Sequence, residues 1–250
     1  MRCKTGIEGF DKLIEDGFEE GAAILFTGSP GTGKSIFAME FIYNGAAKFK
    51  EKGLYVTFEQ RAEEIKEQAK QFGWDFDKLE KQGTAKIIAI PVREITQQTA
   101  GSIIAMCKKE KVRRLVIDSL STLAINAPIY AAQQGMSVKD MMAENVFFSP
   151  PIIGDTIVKR FIYNFIDDLK ALEKTTKFLV SESFDTGVNP ENSLAEFLCD
   201  AVIHVSFESM GGAYSRSLLV RKMRETKHDE DIHPLEISKK GIIVHSLEEK

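Results

Sequence analysis

Gly28-Ser29-Pro30-Gly31-Thr32-Gly33-Lys34-Ser35 is the stretch that decides how this chain folds. It has the form GxxxxGK[ST] and lies between an apolar run at 22–27 and a helical pattern at 35–48. A strand, a glycine loop and a helix in that order make a phosphate cradle. The glycines let backbone N–H groups converge on phosphate oxygens without side-chain interference. The helix start adds its positive end. Lys34 can reach the β- and γ-phosphates of a nucleoside triphosphate, and the Ser35 hydroxyl can ligate magnesium. The nucleotide-binding set read here is Gly28, Ser29, Pro30, Gly31, Thr32, Gly33, Lys34, Ser35 and Ile36, with ATP and Mg2+ as the expected ligands.

Outward from this loop, short apolar runs alternate with helical patterns. Strands are expected at 22–27, 53–59, 85–90, 114–118 and 177–181, and helices at 35–48, 61–72, 96–109 and 158–174. Such alternation indicates right-handed βαβ units and a mostly parallel sheet. The end of the chain differs. Runs at 201–207, 217–223, 234–237 and 242–245 have few helical residues between them, and Lys239-Lys240-Gly241 reads as a tight turn. The expected fold class is α/β, a mostly parallel central sheet flanked by helices with a C-terminal antiparallel extension. No linker or repeat divides residues 1–250, so one domain is expected. The exception is 124–156, a long insertion after the fourth strand that holds Pro128, Gly135, Pro150, Pro151 and Gly154 beside Met141, Met142, Phe147 and Phe148. A loop of that length inside a compact domain is uncommon and often functional. Its Met and Phe residues suit either a subunit contact or a self-packed excursion.

Three further elements carry chemistry. Leu115-Val116-Ile117-Asp118 is an apolar strand ending in Asp, the Walker B pattern, whose carboxylate holds magnesium, and Ser119 can help orient it. Glu59-Gln60 ends the second strand, and strand ends beside a phosphate loop face the ligand crevice. A carboxylate there can orient the attacking water and take its proton, although an ordinary helix-start acid would look the same. Finally, Arg221-Lys222-Met223-Arg224-Glu225-Thr226-Lys227-His228 follows a late strand. Alternation puts Lys222 and Arg224 on one face, as a solvated basic strand end or as a pair of phosphate-reaching cations.

Bulk properties narrow the class. Hydrophobic residues make up 43% and charged residues 28%, which supports a packed core. Lys plus Arg number 33 against 37 acids, a net charge of −4 that gives no global attraction for nucleic acid or an anionic membrane. Cys3, Cys107 and Cys199 form no CxxC pair, so no disulfide framework or zinc site is readable. The first residues lack the apolar core of a signal peptide, and no run approaches the length of a membrane span. A soluble cytoplasmic protein is expected.

Taken together the residues resemble the KaiC-like branch of the RecA superfamily. Thr5-Gly6-Ile7-Glu8-Gly9-Phe10-Asp11 looks like its opening motif, TGIxGxD. Phe41-Ile42-Tyr43-Asn44-Gly45 looks like the end of its first helix, and Leu54-Tyr55-Val56-Thr57-Phe58-Glu59 like its catalytic-glutamate strand. Phe72-Gly73-Trp74-Asp75, the 222–228 segment with Thr226 and His228 in step, and Lys240-Gly241-Ile242 also match. The resemblance spans 4–245 except for 124–156. It implies a RecA-type core, ATP hydrolysis and a homo-oligomer, commonly a hexameric ring with nucleotide between subunits. By the same resemblance Glu59 is the catalytic acid, assisted by Lys34. Lys222, Arg224, Thr226 and His228 contact ATP bound to the adjacent protomer. Two departures stand out. The family often has two glutamates where this chain has Glu59-Gln60, and Gln60 cannot act as a base. Glu196-Phe197 replace the Ser-Thr that the self-phosphorylating half of the clock protein carries before an Asp, which disfavours autokinase chemistry there.

Four readings of function stay open at this point. The first is a KaiC-like ATPase whose nucleotide state controls assembly or an unidentified protein partner. The others are a nucleic-acid motor, a non-hydrolysing nucleotide sensor and a protein kinase. The stretches where RecA-type proteins hold DNA are 124–156, with Lys139 as its one base, and 181–200, with no Lys or Arg. Phosphate-backbone binding needs cations, so nucleic acid is not an expected partner.

Overall fold

Successive side chains on a strand point to opposite faces, so a strand apolar at every position must feed two cores. The computed structural model of the chain, which describes residues 1–96, 98–133, 150–182, 190–210 and 213–246, has that arrangement. In β3, Ala23–Gly28, Ile24 and Phe26 join one apolar cluster while Ala23 and Leu25 join the other. Strands β6, Arg114–Asp118, and β7, Thr176–Glu182, split the same way: Val116, Phe178 and Val180 face one side, and Leu115, Ile117 and Leu179 the other.

Helices cover both faces. On the first lie α1, Lys34–Lys48, α2, Ala62–Lys70, and α3, Phe76–Lys81, through Phe37, Phe41, Ile65, Ala69, Phe76 and Leu79. On the second lie α4, Thr99–Glu110, α5, Leu120–Gln133, α6, Pro150–Lys170, and α7, Pro190–Leu198. Their contributions include Ile103, Leu123, Phe165, Ile166 and Ala195. The remaining strands are β4, Gly53–Thr57, β5, Ala85–Ala89, β8, Ala201–Met210, β9, Ala213–Met223, β10, Ile232–Ser238, and β11, Gly241–Val244. The nine-stranded sheet has the order β11-β10-β9-β8-β3-β7-β6-β4-β5. From β8 to β5 the neighbours are parallel, and β9, β10 and β11 are antiparallel. A separate ribbon pairs β1, Arg2–Cys3, with β2, Phe18–Glu19. Among the described residues no helix is long and apolar enough to cross a membrane.

Parallel register brings chemistry to one edge. Gly28 lies opposite Glu182, Val180 opposite Asp118, and Asp118 opposite Thr57. An aromatic cluster then fixes α1 against these strands. Phe26 and Phe37 have ring centroids 4.5 Å apart, and Phe178 lies 5.0 Å from Phe26 and 5.4 Å from Phe41. Each fully buried ring contributes roughly 1.5–3 kcal/mol relative to exposure. The loop between β3 and α1 is thus held at both ends.

The family-like segments have local reasons. Asp11 accepts from the Thr5 N–H at 2.8 Å, the Thr5 hydroxyl at 2.7 Å and the Gly6 N–H at 2.9 Å, closing the opening turn. Asn44 Nδ2 donates to Thr5 O at 3.2 Å. Trp74 stacks on Phe72 at 4.7 Å and Tyr43 at 5.8 Å, and Asp75 caps α3 by accepting from the Lys78 N–H.

The insertion at 124–156 needs correcting. Residues 124–133 continue α5 and 150–156 begin α6, so both ends of the expected loop are helical, and 134–149 lie outside the described residues. The prolines misled. Pro150 occupies the first helical position, where its missing N–H has no intrahelical role. Helix α5 runs through Pro128. Helices α3 and α7 were also not expected from the pattern; with six and nine residues they offer too few turns for a clear period.

Glu40 gives the fold a pH dependence. It is 5% exposed, and its carboxylate accepts from the Ile242 N–H at 2.7 Å and from Asn44, tying α1 to the β10–β11 hairpin. Burial, opposed by those hydrogen bonds, pushes its carboxyl from 4.5 up to about 7. The folded state therefore holds this proton more tightly than the unfolded chain. Stability from Glu40 is full below about pH 4.5 and is lost as pH rises through about 7. The loss amounts to ~3 kcal/mol in order of magnitude. Glu40→Gln keeps an acceptor for Ile242 without the charge. Thermal unfolding should show the variant gaining on the wild type between pH 5 and pH 8; a difference independent of pH would contradict this account.

Candidate active site

Gly33 precedes helix α1 with φ +102 and supplies no side-chain cap, and no acid lies in the helix's first turn. Its first N–H groups are open to an anion. A Cβ on Gly33 would lie 3.0 Å from Ile237, and one on Gly28 would lie 2.1 Å from Val205 O, so the loop backbone can pass here only without side chains. Within the loop the Thr32 hydroxyl donates to Ser29 O at 2.8 Å. Lys34 Nζ donates to Gly28 O at 2.8 Å and Ser29 O at 2.9 Å. Burial lowers the Lys34 pKa, while Glu182, Asp118 and Glu59 pull it back up. The ammonium thus sits between the loop and three carboxylates.

Asp118 is 6% exposed at the end of β6. Tyr55, a residue of β4, donates its hydroxyl to Asp118 Oδ2 at 2.5 Å, and Ser35 also hydrogen-bonds the carboxylate. Burial raises the Asp118 pKa against both bonds. The peptide from Asp118 to Ser119 is cis. Ser35 and Asp118 form a hard-oxygen pair beside the loop, which fits a magnesium ion completed by phosphate and water. Among the described residues no group of three or more His, Cys, Asp or Glu could hold a metal by itself.

Glu59 stands just beyond β4, in a turn where Thr57 Oγ1 accepts from the Glu59 and Gln60 N–H groups at 3.2 Å each. Its Oε1 accepts from the Ser119 and Thr122 hydroxyls, both at 2.5 Å. Lys34, Ser35, Ile36, Glu59, Asp118 and Glu182 line one cleft of about 370 Å³. Pro30, Gly31 and Gly33 line it as well; Gln60 does not. A larger hollow of about 550 Å³, against Leu54, Ala85 and Met106, lies at the opposite ends of β4 and β5 and has an apolar floor.

The 222–228 segment lies elsewhere. Met223 pairs with Ala201, which pairs with Ile24, whereas Gly28 pairs with Val205. Lys222 and Arg224 are therefore at the start of β3, about 13 Å along the sheet from the loop. Lys222 Nζ donates to Glu196 O at 2.7 Å, Phe197 O at 3.3 Å and Cys199 O at 2.7 Å. Arg224 donates to Phe197 O at 2.8 Å. The Thr226 hydroxyl accepts from Arg2 at 2.7 Å, and His228 is half-buried nearby in sequence. None of the four lines its own chain's cleft.

With this geometry in place, the comparisons are specific. The family model described as "ATPase: KaiC" matches residues 3–147 and 153–249. The chain belongs to the KaiC ATPase family. A UPF0273 protein of Thermotoga maritima is 31% identical over 267 residues, covering 99% of this chain and 97% of its own. The circadian clock oscillator protein KaiC of Synechococcus elongatus is 28% identical across 98% of this chain, which spans 44% of that protein. The crystal structure of a KaiC-like protein from Pyrococcus horikoshii aligns with a TM-score of 0.79 at 32% identity, covering 98% of this chain and 99% of that one. The KaiC family match takes in every cleft residue named above.

Tyr55, Thr122, Glu182 and Arg216 were not singled out from the sequence. Glu182 follows from register, since it pairs with Gly28, but strand order is needed to see that. Arg216 lies at the near end of β9, donates to Gly31 O at 3.3 Å and sits 4.9 Å over the Phe207 ring. The expected strand began one residue later. Thr122 had a readable signal, an i+3 spacing from Ser119 at a helix start.

Proposed function

We propose that residues 1–250 form one ATPase domain that binds ATP with magnesium and hydrolyses it. What supports this reading is the convergence of Lys34, Ser35, Asp118 and Glu59 in a single cleft at the strand ends. Residues 28–36 hold the nucleotide, and the open N–H groups at the start of α1 receive its phosphates. Ser35 and Asp118 hold the magnesium ion, which when bound supplies charge neutralisation at the phosphates. Glu59 orients water and accepts its proton. Lys34 moves from the loop carbonyls to phosphate oxygens, whose negative charge offsets the cost of burying its own.

Lys222, Arg224, Thr226 and His228 serve a neighbouring subunit's nucleotide in a homo-oligomeric ring, with nucleotide state controlling assembly or a protein partner. Support for the trans role is their position at the end of the sheet away from their own loop. Nucleic acid is not an expected partner: the described stretches 120–133 and 190–198 carry no Lys or Arg.

Complementation between two inactive variants tests the assembly. Lys222→Ala/Arg224→Ala should bind ATP and lose turnover, because its own cleft is intact. Mixed with Glu59→Gln, which supplies intact trans cations, it should regain activity. Molar mass in solution should rise with ATP–magnesium. A strict monomer in both states, or no recovery on mixing, would contradict the trans assignment.

A further inference from the structure

We propose that Thr122 is a positioning residue that aims the Glu59 carboxylate at the attacking water; this rests on the reading of Glu59 as the base. Thr122 lies in the first turn of α5, three residues after Ser119. Ser119 caps that helix by accepting from the Thr122 N–H at 3.3 Å. The same two residues converge on a third, in the turn after β4. Both hydroxyls reach Glu59 Oε1 at 2.5 Å, although their own oxygens are 3.1 Å apart. Each hydroxyl has a single proton. Both protons go to the carboxylate, so the pair cannot also bond to each other.

The consequence is a carboxylate with unequal oxygens. Oε1 is fixed by two donors, while Oε2 has no protein donor among the described residues and is left to accept from water. A carboxylate held at one oxygen loses its rotational freedom. Glu59 is an exposed side chain on a turn, so without such a tether it would sample several rotamers. Thr122 suits the task because β-branching restricts its rotamer in a helix. Its carbonyl is held as well, accepting from Asn126 Nδ2 at 2.7 Å. Ser119 shares the tether but also caps the helix and adjoins Asp118, so Thr122 is the cleaner place to test the idea.

Thr122→Val keeps the shape and the β-branch and removes the hydroxyl. In the full chain it should lower kcat about tenfold, since a misaimed base loses proximity. The KM for ATP should stay within about twofold, because no phosphate or magnesium ligand changes. Thr122→Ser restores the hydroxyl and should restore kcat. In a Glu59→Gln background, Thr122→Val should have no further effect. Direct ATP binding serves as the control for folding. Wild-type turnover in Thr122→Val beside an inactive Glu59→Gln would overturn this inference and leave the ATPase reading standing. So would a raised KM with unchanged kcat. Full turnover in Glu59→Gln would instead remove Glu59 as the base, and with it both statements.

Discussion

Glu59→Gln should stop turnover and leave ATP bound. Among the described residues the carboxylate's hydrogen bonds run to Ser119 and Thr122, not to the loop or to Ser35 or Asp118. The proposed phosphate and magnesium contacts should therefore survive the substitution. A glutamine accepts hydrogen bonds from both hydroxyls but cannot take a proton from water. General-base catalysis contributes roughly 10²–10⁴-fold, so kcat should fall on the order of 100-fold or more. Gln60 gives no substitute, because it is absent from the cleft lining and has no basic atom. Phosphate release and equilibrium ATP binding, measured on the same preparation, check both halves. Unchanged turnover would remove the assigned role.

Arg114→Ala should produce the largest loss of stability. Its guanidinium is wholly buried at the start of β6. It donates to Glu51 at 2.6 Å, Phe41 O at 2.9 Å and Lys4 O at 2.6 Å, joining α1, the loop after it and the opening segment. It also lies 4.7 Å over the Phe41 ring and 5.1 Å over that of Phe49. A Cβ on Gly45 would lie 2.4 Å from Arg114 Cδ, so the glycine in the helix makes room for this side chain. Truncation leaves two carbonyls and a carboxylate without their donor as well as a cavity. Breaking a buried pair of this kind costs about 3–5 kcal/mol. Against a typical total of about 5–15 kcal/mol, that is a large fraction. At about 2–4 °C per kcal/mol for a chain of this size, melting should drop by roughly 6–20 °C. A change below about 2 °C would mean the arginine contributes little net stability.

How much of this was readable beforehand depends on the range of the interaction. The phosphate-loop pattern is local, since eight consecutive residues carry its glycines, lysine and hydroxyl, and the structure puts them between a strand and a helix as expected. The strand 114–118 is local too, because an apolar run ending in Asp has little alternative. The tether on Glu59 is not local. Thr122 is 63 residues away in sequence, and only the adjacency of β4 and β6 brings it near. Arg114 read as an ordinary strand start for the same reason, as its acceptors lie 63, 73 and 110 residues away. The insertion misled through proline, whose cost in a helix depends on position rather than presence. The 222–228 segment was legible as a cationic strand end, but its separation from the loop emerged only from register.

Titration of the intact chain with ATP and magnesium tests the central claim most directly. The cleft formed by the loop, Asp118 and Glu59 should bind ATP saturably, one per chain, and release phosphate slowly or quickly but measurably. A chain that binds no ATP at millimolar concentration, with or without magnesium, would contradict the account at its base.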